Sequence, residues 1–185
     1  MNNLKFTLKA WPVIAGATIG LCYLTQTVAK WFGIELPDQA NIELVKRYAG
    51  WNRTFILLCA QVIILMPAIE ELIFRFCLFR LPIKVGRALR ARRNQNKAVT
   101  APLSDCGEAG VLALPLTAAI SSILFSAAHY LAQPFPDSAF FALFFFGLAQ
   151  CWLYKKTGHL WCAILNHGLF NLTNLVLLFI LPEAA

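Results

Sequence analysis

The chain has 185 residues, of which 59% are hydrophobic and 14% charged, against roughly one-quarter charged residues in an average soluble domain. A soluble fold would have to hide that apolar excess, whereas a bilayer accepts it. The net charge of +7 does not indicate nucleic acid, because no aromatic interleaving or recognised nucleic-acid-binding pattern accompanies it.

A membrane crossing needs about 20 largely apolar residues to span a hydrocarbon layer about 30 Å thick. Five stretches meet or approach that demand, so the expectation is an all-α polytopic membrane protein of one domain with about five transmembrane helices. The first, 11–29, runs from Trp11 to Ala29 without a charge. Lys5 and Lys9 ahead of it would also suit a cleavable signal peptide, but no clear small-x-small site follows, and a retained signal anchor is the simpler account. The second, 54–81, is apolar from Thr54 to Ile69. Pro67 is expected to kink it and to make Ala68–Leu81 a distinct cytoplasmic half-helix.

Residues 82–110 are expected to form a basic cytoplasmic loop. The third span, 111–133, has Pro115 where a first helical turn would accept it, with Ala98–Leu114 as an interfacial approach. Pro134 and Pro136 stop that helix. The fourth span, 138–155, ends at Gly158, and the fifth, 159–181, ends at Pro182. Six cysteines, Cys22, Cys59, Cys77, Cys106, Cys151 and Cys162, contain no Cys-x-x-Cys pair, which argues against a zinc-thiolate or iron–sulfur site.

Charge orients these spans. Arg80, Lys84, Arg87, Arg90, Arg92, Arg93 and Lys97 form a run with no acid among them, and the Lys/Arg bias of short loops keeps such a run cytoplasmic. Lys5, Lys9, Lys155 and Lys156 then share that side. The expected topology is N-terminus in and C-terminus out, in a bacterial inner membrane. The basic run also suits anionic lipid headgroups.

Of the acidic residues, only Glu70 and Glu71 lie within a hydrophobic stretch. A carboxylate at membrane depth costs about 2.5–3.5 kcal/mol on insertion scales, so an adjacent pair needs a reason. Arg75 stands four residues after Glu71, on the same helix face, and an ion pair that orients helices accounts for both. Glu70 is rotated by about 100° and is free for chemistry. His129 ends an apolar run, and His167 with Asn171 stacks an imidazole and an amide on one face of the last helix. A lone intramembrane His is most often an interhelical hydrogen-bonder. Together with the Glu pair, however, two imidazoles and an amide can assemble a water-activating site. His159, beside Gly158 and two Lys residues, is expected at the interface.

Depth is the check on that assembly. Counting about 1.5 Å per residue from the cytoplasmic ends puts Glu70 about 15 Å down and His167 about 12 Å down. The same count puts His129 about 21 Å down from Pro115, or about 27 Å from Val111. His129 is the member that does not match.

In order, Glu70-Glu71-Leu72-Ile73-Phe74-Arg75, Phe125 through His129, and His167-Gly168-Leu169-Phe170-Asn171 resemble the three motifs of the CAAX-protease and bacteriocin-processing family. These are intramembrane glutamic endopeptidases related to the prenyl-protein endoprotease, and the resemblance covers roughly Thr54 to Leu178. It implies helices enclosing an intramembrane catalytic cavity without cofactor or metal. Glu70 and His129 would activate the attacking water, His167 and Asn171 would stabilise the oxyanion, and Glu71 and Arg75 would support them. The partners implied are the lipid bilayer and a membrane-associated peptide or protein substrate. Phe76 stands where family members often have Gly. Three other readings remain open: a zinc-dependent protease, a catalytically inactive membrane peptide-binding or bacteriocin-immunity protein, and a small transporter. Against zinc stand the lack of a His-Glu-x-x-His helix and the rarity of Asn as a zinc ligand.

Overall fold

Asn2 and Asn52 start the first two helices. Their side-chain oxygens accept backbone N–H groups from Leu4 at 3.0 Å and Phe55 at 2.9 Å, satisfying donors that a helix start otherwise leaves orphaned. The computed structural model describes residues 2–34, 47, 49–50, 52–97, 108–132 and 139–180, and the elements among them are all helical. Helix α1 covers Asn3–Trp31. A continuous helical rod follows with changing register: α2 (Arg53–Ala60), π1 (Gln61–Leu65), α3 (Met66–Glu71), π2 (Leu72–Arg80) and α4 (Leu81–Lys97). Helices α5 (Glu108–Ala132), α6 (Phe140–Thr157) and α7 (Leu160–Ile180) complete the bundle.

Four stretches are long and apolar enough to cross a membrane: Asn3–Trp31, Arg53–Gly86, Leu114–Ala132 and Leu160–Ile180. Large apolar side chains such as Leu24, Ile64, Leu116, Phe145 and Ile180 point outward, which suits lipid and not water. The chain is an all-α, polytopic integral membrane protein. Helix α6 occupies the place of the remaining expected crossing, but Gln150, Lys155 and Lys156 dilute its apolar character. It lies inside the bundle against α1, α5 and α7.

Three local expectations meet a different outcome. Pro67 does not separate a half-helix, because the rod passes through it. The stretch after Leu81 is helical to Lys97 and is no irregular loop. Its Ala, Leu, Arg and Lys residues are good helix formers. Pro115 lies inside α5, which starts at Glu108. Residues 98–107, Pro134, Pro136 and Pro182 lie outside the described residues.

The core gathers Ile14 and Ala15 of α1, Phe125 of α5, Phe146 of α6 and Phe170 of α7. Gly147 lets α5 and α6 approach closely, since a Cβ there would stand 2.9 Å from Ser122 Cβ. Gln150 Nε2 donates to Ala163 O at 3.4 Å, and Asn166 Nδ2 donates to Gln150 Oε1 at 3.3 Å, tying α6 to α7. Gly158 makes their tight connection with a left-handed φ of 74°, a conformation without side-chain penalty for glycine. The carbonyl of Gly158 accepts from Arg80 Nη1 at 2.9 Å, so the end of π2 is held at that turn.

Candidate active site

Helix α3 delivers two adjacent carboxyl groups to different neighbours, as the turn of about 100° per residue requires. Glu71 meets α7: its Oε1 accepts from His167 Nδ1 at 2.9 Å. Its Oε2 lies 3.1 Å from Arg75 Nε, and both side chains are fully buried. Glu70 turns toward the gap between α5 and α7. There its Oε2 lies 3.7 Å from His129 Nε2 and 3.7 Å from His167 Nε2. Five sequence-selected residues, Glu70, Glu71, Arg75, His129 and His167, thus converge from three segments far apart in the chain.

The outer nitrogens of the imidazoles fix what the inner ones can do. His129 Nδ1 lies 2.9 Å from Phe125 O, four residues earlier on its own helix. A carbonyl oxygen can only accept, so Nδ1 carries the hydrogen and the neutral ring turns an unprotonated Nε2 toward Glu70. Glu71 accepts from Nδ1 of His167 in the same way. The Glu70 carboxyl and the two Nε2 atoms therefore face one another across 3.7 Å, too long for direct hydrogen bonds and within reach of a bridging water. Glu70 Oε2 itself is enclosed and has no hydrogen-bond partner, a costly state at an ordinary structural position.

Access is one-sided. The His129 side chain is 30% exposed and Glu70 17%, whereas His167 is 4% and Glu71 and Arg75 are 0%. The α5 side is the open wall, and the ion pair forms the floor.

Phe125 holds the two together. Its ring lies 4.5 Å beneath Arg75 Cζ, and its centroid is 4.4 Å from that of His129 and 5.8 Å from that of His167. A desolvated guanidinium over an aromatic face gains cation–π attraction, which helps a buried Arg whose three guanidinium nitrogens have no hydrogen-bond partner among the described residues. Phe146 closes the other side of His167 at 5.1 Å between ring centres. Ser121 Oγ donates to Phe74 O at 2.6 Å, fixing α5 against π2.

The depth mismatch disappears because the helix ends are not level. The rod carrying Glu70 remains helical far beyond Leu81, to Lys97. Distances counted from each helix's own start, about 32 Å from Glu108 to His129 and about 10 Å from Leu160 to His167, have no common origin.

Asn171 lies one turn beyond His167, and its Nδ2 donates at 2.9 Å to Val62 O. Val62 and Gly168 had no place in the sequence reading of the site, and Pro67 entered it only as a kink. Their signal was a proline five residues after Val62 and a glycine adjacent to an intramembrane His. His159 is exposed at the α6–α7 turn, with its ring 6.5 Å from that of Trp161. Among the described residues, no group of three or more His, Cys, Asp or Glu is arranged to hold a metal ion.

A family model described as "Type II CAAX prenyl endopeptidase Rce1-like" matches residues 52–173, a range that includes every residue of this cluster. Comparisons with curated proteins and with solved structures gave no match.

Proposed function

Because the chain belongs to the Rce1-like family of type II CAAX prenyl endopeptidases, we propose that it is an intramembrane endopeptidase. It hydrolyses a peptide bond of a membrane-associated protein or peptide, using water activated by Glu70 and His129. The observation that carries this reading is the placement of Glu70 Oε2 at 3.7 Å from both imidazole Nε2 atoms, at the exposed end of a cluster whose other carboxylate is already paired.

The steps follow from the donors and acceptors. Water between Glu70 and His129 donates one hydrogen to each, which aims an oxygen lone pair at the scissile carbonyl carbon. As the C–O bond forms, Glu70 takes a proton from the water and the carbonyl electrons move onto oxygen. His167 stabilises that oxyanion when both ring nitrogens carry hydrogen, with Nδ1 held by Glu71 and Nε2 donating inward. Collapse of the intermediate breaks the C–N bond, and the proton on Glu70 passes to the leaving amine. The products are one carboxylic acid and one amine, and Glu70 is restored.

Zinc-dependent hydrolysis is the alternative reading, with Glu70, His129 and His167 as the residues that would hold the ion, although they are not arranged as a metal-holding group among the described residues. It is separated from the first by chelation, taken up in the Discussion. Terminus mapping by mass spectrometry, on membranes from cells with and without this chain, tests the proposed activity. The reading expects new peptide termini that vanish with Glu70→Gln and with His129→Ala. Termini that persist in both variants would contradict it, and binding of the same peptides without cleavage would assign the fold to an inactive peptide-binding protein.

A further inference from the structure

In π1 the backbone register is i→i−5: Met66 N–H reaches Gln61 O. The next bond in that register would run from residue 67 to Val62 O, and residue 67 is Pro, which has no N–H. Val62 O is therefore an orphan created by the buried Pro67. In apolar surroundings such a carbonyl needs a substitute donor. Asn171 Nδ2 supplies it at 2.9 Å.

A second contact presses on the same point. A Cβ built on Gly168 would lie 2.5 Å from Ile63 O, so α7 can seat here only because residue 168 is glycine. One turn of α7 thus presents His167 to Glu71, Gly168 to Ile63 and Asn171 to Val62. The docking site lies about two turns before Glu70 on the same rod.

We propose that Asn171 is a positioning residue that replaces the hydrogen bond lost at Pro67 and, with Gly168, sets the height of α3 against α7 so that Glu70 Oε2 is equidistant from the two imidazoles. The proposal rests on the protease reading for its kinetic part. It adds an anchoring task to the oxyanion role that family resemblance implies for this amide. One of the amide's two N–H groups is committed to a backbone carbonyl of the opposite helix, which fixes the orientation of the whole amide and leaves the second N–H as the donor the resemblance implies.

The experiment pairs a structural readout with a kinetic one. In the inactive Glu70→Gln protein, reconstituted in lipid nanodiscs, hydrogen–deuterium exchange is followed over residues 62–71 with and without Asn171→Ala. The proposal expects exchange there to accelerate about tenfold or more, the mark of a local opening. Unchanged exchange overturns it, and this arm is readable even if the chain cleaves nothing. In the active background, Asn171→Ala lowers kcat by about 10²-fold, as expected for a small misplacement of reacting groups. Pro67→Ala restores an N–H for the orphan carbonyl, so Asn171→Ala in that background loses at least tenfold less. A loss of equal size in both backgrounds identifies an oxyanion donor alone and overturns the proposal. Gly168→Ala keeps the amide yet displaces the same contact, which guards against a Pro67 variant that does not fold. It reproduces most of the Asn171→Ala defect, and wild-type turnover in Gly168→Ala overturns the proposal.

Discussion

His167 donates through Nδ1 to Glu71 at 2.9 Å, a contact that joins the last helix to the middle of the second span. One carboxylate therefore has two tasks, since Glu71 also pairs with Arg75 at 3.1 Å inside the bundle. The pairing holds Glu71 in place, and its Oε1 sets the orientation of the imidazole facing the pocket.

Removing the cation exposes this dependence. Arg75→Ala leaves a buried carboxylate without its partner, a change that costs about 3–5 kcal/mol. Thermal unfolding in detergent is expected to show a large drop in melting temperature. The double variant Glu71→Gln with Arg75→Met recovers most of that stability without recovering activity, because the carboxylate that organises His167 is gone.

Glu70 is expected to behave in the opposite way. Its Oε2 has no hydrogen-bond partner, so Glu70→Gln removes a poorly satisfied charge and the melting temperature stays level or rises. Cleavage nevertheless falls by about 10²–10⁴-fold, the contribution typical of a general base. A Glu70→Gln protein that unfolds as readily as Arg75→Ala would show that the two carboxylates are not divided between chemistry and structure.

Phe125 separates packing from electrostatics. Phe125→Ala opens a cavity beside two imidazoles and a guanidinium, and its stability loss is expected at about 3–5 kcal/mol. Phe125→Leu retains much of the volume but removes the π face beneath Arg75, 4.5 Å away. Its loss is smaller, about 1–2 kcal/mol. A Phe125→Leu protein that unfolds at the native temperature would remove the cation–π interaction from the account.

Helix contact away from the site gives an independent control. A methyl group at residue 147 would stand 2.9 Å from Ser122 Cβ and 3.0 Å from Ser122 Cα. Gly147→Ala therefore forces α5 from α6 and is expected to destabilise by about 1–3 kcal/mol. Ser122→Gly in the same protein relieves only part of the strain, because the backbone contact remains.

Metal dependence has a direct test. Exhaustive chelation, with residual metal measured as negligible, is expected to leave the cleavage rate unchanged. Loss of activity that returns on adding zinc would move Glu70, His129 and His167 from water activation to metal ligation.

Much of this arrangement was legible in the sequence for identifiable reasons. Uninterrupted apolar runs marked the helices, and charged or imidazole groups inside them stood out because lipid penalises them. The spacing of Glu71 and Arg75 gave their ion pair directly. The meeting of His129 with Glu70 was obscured because the count of depth assumed level helix ends, and the rod through Lys97 has none in common with α5 or α7. The roles of Val62 and Gly168 were hidden for another reason. A π register moves the orphan carbonyl of Pro67 from Ile63 to Val62, and residue spacing does not reveal which register a helix adopts.

The central claim, that Glu70 turns an enclosed water into the nucleophile, is tested most directly by isotope transfer. Purified chain in lipid vesicles is incubated with a prenylated CAAX peptide in H₂¹⁸O, and both products are weighed by mass spectrometry. The account predicts that the native protein releases a product whose new carboxylate carries ¹⁸O, and that Glu70→Gln releases almost none. Equal ¹⁸O-labelled product from the two proteins would contradict it.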